Sequence, residues 1–300
     1  MSESSLIIDL SRLPVPDVVE PLDFETVLAS LEQSLQQLVP EFTASVESDP
    51  VRKLLEVAAY RELLLRSRIN DASRSVMLAY ARGSDLDQLV AFYGIERLLI
   101  SAGDPDALPP VPPVYEDDDR LRYRARLSLE RFSTAGSVGS YVFHALSASP
   151  VVRDVSVSSP QPGEVLVTLL STVEPDGVVT PELLAQVDAV LSSETVRPLT
   201  DHVTVQGAAV SSYDIVAHLV LYAGPDPELV RLNALQAVTD YAMSHRLLGH
   251  DITRSGLFAA LHQPGVQNVL LTEPVSDIVV GINESVWPEI ITVTAEGVGE

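Results

Sequence analysis

An α+β protein is expected: a helical N-terminal region followed by mixed α/β modules in which helices cover small sheets. Apolar residues recur at helical spacing through roughly the first hundred positions. A proline-rich stretch interrupts that pattern at 101–115, and beyond it short alternating runs of Val, Ile and Leu are interleaved with further helical patterns.

The elements follow in order. Over residues 1–22, Pro14, Pro16 and Pro21 sit among apolar positions, which suits an extended arm laid on another surface better than a packed element. Asp23 offers an N-cap. Phe24, Val27, Leu28, Leu31, Leu35 and Leu38 then keep helical spacing until Pro40 stops the run. Ser48-Asp49-Pro50 is a second start signal, with a capping side chain ahead of a proline at the first helical position. The helical pattern from there runs to about Arg82, where Gly83 closes it; it resumes after Ser84 or Asp85 and ends at Gly94.

Within 54–65, Leu54, Leu55, Val57, Ala58, Ala59, Tyr60, Leu63, Leu64 and Leu65 occupy nearly the whole helix circumference. A helix apolar on more than one face is buried on more than one face. Residues 23–100 look too small to surround it, so contact with a helix of another chain is expected through Leu54, Leu55, Ala58, Leu64 and Leu65. Residues 101–118, with Pro105, Pro109, Pro110, Pro112 and Pro113, read as a stiff linker and domain boundary.

Two α+β modules are expected at 119–206 and 207–300. Strands are predicted at 152–157, 165–170, 202–205, 215–221, 266–271 and 290–293, with helices at 123–132, 138–148, 181–191, 227–245 and 253–262. A faint internal echo relates the halves. Phe143-His144-Ala145-Leu146 leads to Val155 as Phe258-Ala259-Ala260-Leu261 leads to Val269, and Pro181-Glu182-Leu183 opens a helix as Pro227-Glu228-Leu229 does.

Composition narrows the function. There is no cysteine among the 300 residues, which removes disulfides, thiolate metal sites and cysteine nucleophiles together. A formal charge of −23 repels phosphate backbones and anionic lipid, so neither nucleic acid nor membrane is an expected partner. Without an apolar run long enough to span a bilayer or a basic leader, the chain reads as soluble and unexported.

Candidate chemistry is sparse. Ala135-Gly136-Ser137-Val138-Gly139-Ser140 lacks the Gly-Lys-Ser/Thr ending of a P-loop, and Ser137 as an N-cap explains it. Asp117-Asp118-Asp119 lacks the loop glycine and distal Glu of an EF-hand. The run suits a helix N-terminus, followed by Arg120, Arg122, Arg124 and Arg126. These arginines pair with acids of their own helix or, in the rival reading, Arg120, Arg122 and Arg124 meet an acidic partner. None of the six histidines forms a His-Glu-x-x-His pair. His250-Asp251 imitates half of a catalytic dyad without a nucleophile in a recognisable setting, so a hydrolase is the alternative reading and a non-enzyme the main one. No cofactor or metal is expected.

Several blocks together resemble the baseplate J-like protein family. Ala81-Arg82-Gly83-Ser84-Asp85-Leu86-Asp87-Gln88-Leu89, continuing to Tyr93-Gly94-Ile95-Glu96-Arg97, is similar to that family's Gly-x-x-Leu-Asp and Gly-x-x-Arg block. Glu116 to Arg124, Ser133 to Tyr141, Pro162 to Val167 and Arg197-Pro198-Leu199-Thr200-Asp201 continue the likeness in order, and Asp9-Leu10 with Leu13 to Val18 resemble the family's opening. The resemblance implies a structural wedge subunit of a contractile-tail baseplate, in a phage or an R-type-bacteriocin-like particle. It implies as partners a second, smaller wedge protein, other copies of the chain, and hub or sheath-proximal proteins. It also implies assembly in the bacterial cytoplasm before residence in the baseplate. A chaperone that leaves before maturation is the further alternative.

Overall fold

The computed structural model describes residues 10, 13–14, 16–41, 48–133, 135–173, 176–224 and 226–299, so much of the expected arm lies outside the described residues. The fold is α+β and divides into two compact units. One runs up to Arg97 and includes Asp117–Ala125; the other comprises Leu98–Glu116 and the chain from Arg126 onward.

The first unit opens with helix α1 (Phe24–Leu38), whose N-cap Asp23 accepts the Thr26 N–H at 3.0 Å. Helix α2 (Pro50–Ser75) starts as the Ser-Asp-Pro signal demands: Asp49 accepts the Val51 N–H at 2.8 Å and Pro50 takes the first turn, where no N–H is needed. α1 and α2 share a small core of Val27, Leu28 and Ala59, with Phe24, Leu31 and Leu55 packed against it. Asn70, buried on α2, clamps the preceding chain by accepting the Glu20 N–H at 3.1 Å and donating to the Glu20 carbonyl at 2.8 Å.

α2 stops at Ser75, short of the predicted Arg82. The apolar pattern continues through Val76, Met77 and Leu78, but a tertiary contact takes the carbonyls a longer helix would need. The Arg122 guanidinium donates to Leu78 O and to Ala81 O, each at 2.8 Å. Gly83 does not close a helix; it opens α3 (Gly83–Ala91) with a positive φ of 51°. α4 (Asp118–Leu127) starts earlier than expected because Asp117 caps it, accepting the Arg120 N–H at 2.8 Å. Its predicted tail is a separate 3-10 turn, Glu130–Phe132.

In the second unit the proline-rich stretch turns back on itself. β1 (Leu99–Ser101) pairs antiparallel with β2 (Val114–Tyr115), and Asp104 bridges to Val111 between them. Next come α5 (Val138–Ala148), β3 (Val152–Ser158), β4 (Glu164–Ser171), α6 (Pro181–Leu191) and β5 (His202–Gly207). β6 (Ala209–Tyr222), α7 (Pro227–Ser244), α8 (Arg254–Leu261), β7 (Val266–Glu273) and β8 (Glu284–Gly299) complete the chain.

The two three-stranded sheets have the orders β3-β4-β5 and β7-β6-β8, and in each the central strand is antiparallel to the first neighbour and parallel to the last. Helices match as well: α5 packs on β3 and α6 as α8 packs on β7 and α7, while α6 lies on β5 as α7 lies on β8. The modules thus share one architecture with the chain threaded differently, since α8 and β7 fall between α7 and β8 rather than ahead of the central strand. The sequence echo falls on these equivalent pairs. Phe143 to Leu146 on α5 precede Val155 on β3, and Phe258 to Leu261 on α8 precede Val269 on β7. The second sheet's core is Ile215, Ala217 and Leu219 against Ala234, Val238 and Leu257, all nearly free of solvent contact. Fully burying one such aliphatic side chain contributes about 1.5–3 kcal/mol.

Candidate protein-interaction face

α2 turns one side toward α1 and the other to solvent. Leu55 and Ala59 lie on the α1 side, Ala59 wholly buried and Leu55 packed beside it. Across the helix, Leu54 is 69% exposed and Leu65 is 66% exposed, with Val57 and Ile69 close to those values. Ala58 lies between them on the exposed side, and Tyr60 and Leu64 flank the stripe. Of the predicted interface residues, Leu54, Ala58, Leu64 and Leu65 therefore share an open side, whereas Leu55 belongs to the contact with α1. Val57, Ile69 and two arginines, Arg61 and Arg68, fall outside the predicted set. The signal for the apolar pair is present in the helical period, which continues from Leu65 to Ile69 and Ala72.

Two of the α4 arginines that the rival reading gives to a partner, Arg122 and Arg124, are engaged inside their own unit. Arg124 is 4% exposed, and its guanidinium donates to Glu96 O at 3.2 Å. Arg122, engaged with Leu78 O and Ala81 O, also pairs with Asp119 at 2.5 Å. Both lie inside the unit because its turns leave carbonyls that need donors. Arg120 is half-buried at the capped start of α4.

The residues that carry the family resemblance meet in pairs. Arg97 reaches Asp87 and Asp118, each at 2.7 Å, and Asp118 also accepts the Gly83 N–H at 3.1 Å. That knot ties α3 to α4, and Leu86 of α3 is fully buried. The three aspartates of 117–119 thus divide their roles between a cap, an internal ion pair and an exposed ion pair. A cleft of about 390 Å³ beside them is lined by Ala79, Tyr80, Arg82, Asp118, Asp119 and Arg122, acids facing bases. In the second unit Tyr141 donates its hydroxyl proton to Asp201 at 2.8 Å, and burial together with that carboxylate pushes the phenol pKa up. Ser137 caps α5 by accepting the Ser140 N–H, as its position in the Ala-Gly-Ser run predicts.

The remaining polar candidates are engaged structurally. Asp251 accepts the Val280 N–H at 2.8 Å, and His250 stacks edge-on to His245 with ring centroids 6.2 Å apart. Trp287 lies under the Arg246 guanidinium at 4.5 Å, a buried cation over an aromatic face. Asp154 accepts backbone N–H groups from Leu248 at 2.8 Å and Val155 at 2.9 Å. Burial pushes its carboxyl above the ordinary value of 3.8, against the pull of those donors and of His250 and Arg153.

The folded state therefore binds this proton more tightly than the unfolded chain does. The contribution to stability is full below 3.8 and is lost as pH rises through the raised folded value. Asp154→Asn, which keeps the acceptor and removes the charge, should flatten that loss. Urea midpoints at about pH 4 and about pH 7 check it, and an unchanged slope in the variant would rule Asp154 out as its source.

Comparison with known proteins agrees with the ordered motifs. Residues 47–104 match the Baseplate J-like N-terminal domain and residues 133–207 the Baseplate J-like central domain. "Baseplate protein J" of Escherichia phage P2 is 46% identical over 286 residues, covering 93% of this chain and 94% of that protein. A chain in the cryo-EM structure of the anti-feeding prophage baseplate, 6-fold symmetrised, aligns at 16% identity with a TM-score of 0.38. The alignment covers 62% of this chain and 44% of that one, so this chain spans less than half of that relative. With 46% identity over nearly the whole phage protein, and with the two family domains falling on the stretch from α2 to β1 and on the first sheet module, the chain belongs to the baseplate J-like family.

Proposed function

We propose that the chain is a structural wedge subunit of a contractile-tail baseplate, of a phage or of a headless bacteriocin-like particle. Several copies would stand around a central hub, assembled in the bacterial cytoplasm and retained in the finished tail. The exposed side of α2 joins a helical bundle with a second, smaller wedge protein. The two sheet modules meet neighbouring copies and hub or sheath-proximal proteins, and these interfaces are remade when the sheath contracts. In this layout residues 23–100 supply the bundle, 101–118 separate it from the rest, and the modules at 119–206 and 207–300 supply ring contacts. α4 is the exception within 119–206: it works with the helical part rather than with the ring contacts, because Asp117–Ala125 groups with that part. The work is mechanical, with binding energy held in several interfaces rather than in a reacting centre.

The observation that carries this reading is the α2 stripe. A monomer seldom leaves a row of large aliphatic side chains open along one helix, and the core behind it is small. The identity to a protein named for the baseplate supplies the assembly. Among the described residues no helix is long and apolar enough to cross a membrane.

Val57 and Leu65 give the direct test. Val57→Asp with Leu65→Asp should leave the thermal transition of the isolated protein nearly unchanged, since both side chains are exposed. Co-purification with the smaller wedge protein should weaken by about 100-fold or more, as charges enter a desolvated contact. Stoichiometric co-purification of the double variant would sink the bundle assignment.

A further inference from the structure

The two sheet modules are joined at two places that differ in kind. From Arg126 onward, every extensive contact between helices or strands joins elements of the same module. The core cluster around Ile215, Val238 and Leu257 holds no side chain of the first sheet. The chain itself and a set of polar bonds make the crossing, and a junction of that sort leaves two modules free to move unless it is fastened.

The chain changes sheets within one peptide. Ala208 donates its N–H to Leu169 O of β4 at 2.8 Å, and Ala209, the first residue of β6, donates to Asn283 O at 3.2 Å. Asn283 also accepts the Thr168 hydroxyl at 3.0 Å. The second crossing lies at the other edge of the first sheet. There Arg153 on β3 donates to Arg246 O at 2.9 Å and to Met243 O at 2.8 Å, and Asp154 accepts the Leu248 N–H at 2.8 Å. Arg246 reaches back to Val173 O at 3.3 Å, past Gly177, where a Cβ would stand 2.8 Å from its Nη2. Register separates the two crossings: Gly207 lies opposite Leu169, and Leu169 opposite Val155. They are two strand spacings apart, roughly 10 Å.

The crossings differ in how they yield. At 207–209 one peptide is bonded to each sheet, so rotation about its dihedrals turns the second module while both bonds stay in place. At the far edge each bond has a main-chain N–H or C=O at one end, and water replaces such partners when the gap opens.

We propose that the second sheet module is a hinged lobe, with its pivot at Ala208–Ala209 and a releasable latch formed by Arg153, Asp154 and Arg246. Closed, the latch holds the two sheets as one block. Released, the lobe swings and re-aims the surface of residues 209–299 against the first sheet. The inference rests on this internal geometry and not on the wedge assignment, so either can fail without the other.

The test uses the full chain. It has no cysteine, so Ala189→Cys on α6 and Asn233→Cys on α7, both exposed, take two spin labels and nothing else does. Pulsed electron resonance then reads the distance between the modules. One narrow distance is expected with the latch intact, and a broad distribution there overturns the closed state. Arg153→Ala and, separately, Asp154→Ala should add a second distance, the open fraction rising by about tenfold or more. Hydrogen exchange locates the movement. In Arg153→Ala, which leaves Asp154 in place, the Leu248 amide should lose about tenfold or more of its protection, while Ala208, Ala209 and the amides of β4 and β6 keep theirs. An unchanged single distance in both variants overturns the latch. Loss of protection at Ala208 and Ala209 along with Leu248 overturns the pivot. If one variant exposes the β6 amides it has unfolded, and the other decides; if both do, the modules form one folding unit and the lobe is refuted.

Discussion

Gly136→Ala is expected to lower the stability of the second unit by roughly 3 kcal/mol, well beyond what its size suggests. Gly136 holds a left-handed φ of 69°, and a Cβ there would stand 2.6 Å from Asp201 Oδ2 and 2.8 Å from Pro198 Cγ. The carboxylate cannot retreat freely, because it accepts the hydroxyl of Tyr141, a fully buried side chain, at 2.8 Å. Arg197 holds the same residue from the other side by donating to the Asp201 carbonyl at 2.7 Å. Gly163 provides the comparison. It has a similar φ of 82°, but the nearest atom to its Cβ would be Thr200 O at 3.5 Å. Gly163→Ala should cost only the left-handed strain, about 1 kcal/mol. Urea unfolding of both variants checks the difference, and equal losses would show that the packing around Asp201 is slack.

Arg97→Ala is expected to destabilise the first unit by about 2 kcal/mol, whereas Asp119→Asn changes it by no more than roughly a few tenths. The Arg97 side chain is largely shielded and bridges Asp87 and Asp118, so its removal takes the shared cation from both carboxylates and leaves only the Gly83 N–H on Asp118 to link α3 to α4 there. Asp119 also makes an ion pair, with Arg122, but its side chain is 93% exposed and solvent takes its place. Arg122 keeps its two backbone carbonyls in that variant. Thermal unfolding distinguishes the two. If the variants behave alike, the knot of Arg97 is a surface ion pair only.

Helix starts are legible in the sequence because they are local. Asp23, Asp49 and Ser137 cap the helices they precede, and Pro181 and Pro227 stand in the first turn of α6 and α7. Each signal acts within three or four residues, so no distant part of the chain can alter it. The ends of β6 and β8 are not legible for the opposite reason. Ser211, Ser212 and Asp214 break the apolar alternation, yet parallel pairing with β8 from Ala209 and Glu284 onward draws them into the strand. Backbone pairing across sequence-distant segments lengthens a strand whose side chains do not advertise it.

The candidate face divides in the same way. Leu54 and Leu65 can be nominated from spacing, since an all-round apolar helix must have more than one neighbour. Which residues face α1 and which face outward depends on how the two helices dock, and that separates Leu55 from Leu54. The arginines of α4 show the limit more sharply. Alternation of Arg120, Arg122 and Arg124 after three aspartates reads first as pairing within their own helix, with a docking surface as the rival. The turn after Ser75 gives Arg122 acceptors that neither reading named, because the open carbonyls of Leu78 and Ala81 draw it inward.

Residue type and short spacing were enough to establish the α+β class, the capped helices, the absence of cysteine chemistry and the family likeness. It took the folded chain to reveal that the two sheet modules share an architecture with different threading, and that the family's signature residues meet as Arg97 with Asp118 and Tyr141 with Asp201. These are contacts between residues about twenty to sixty positions apart, and a chain's distant meetings are set by packing that no local pattern encodes.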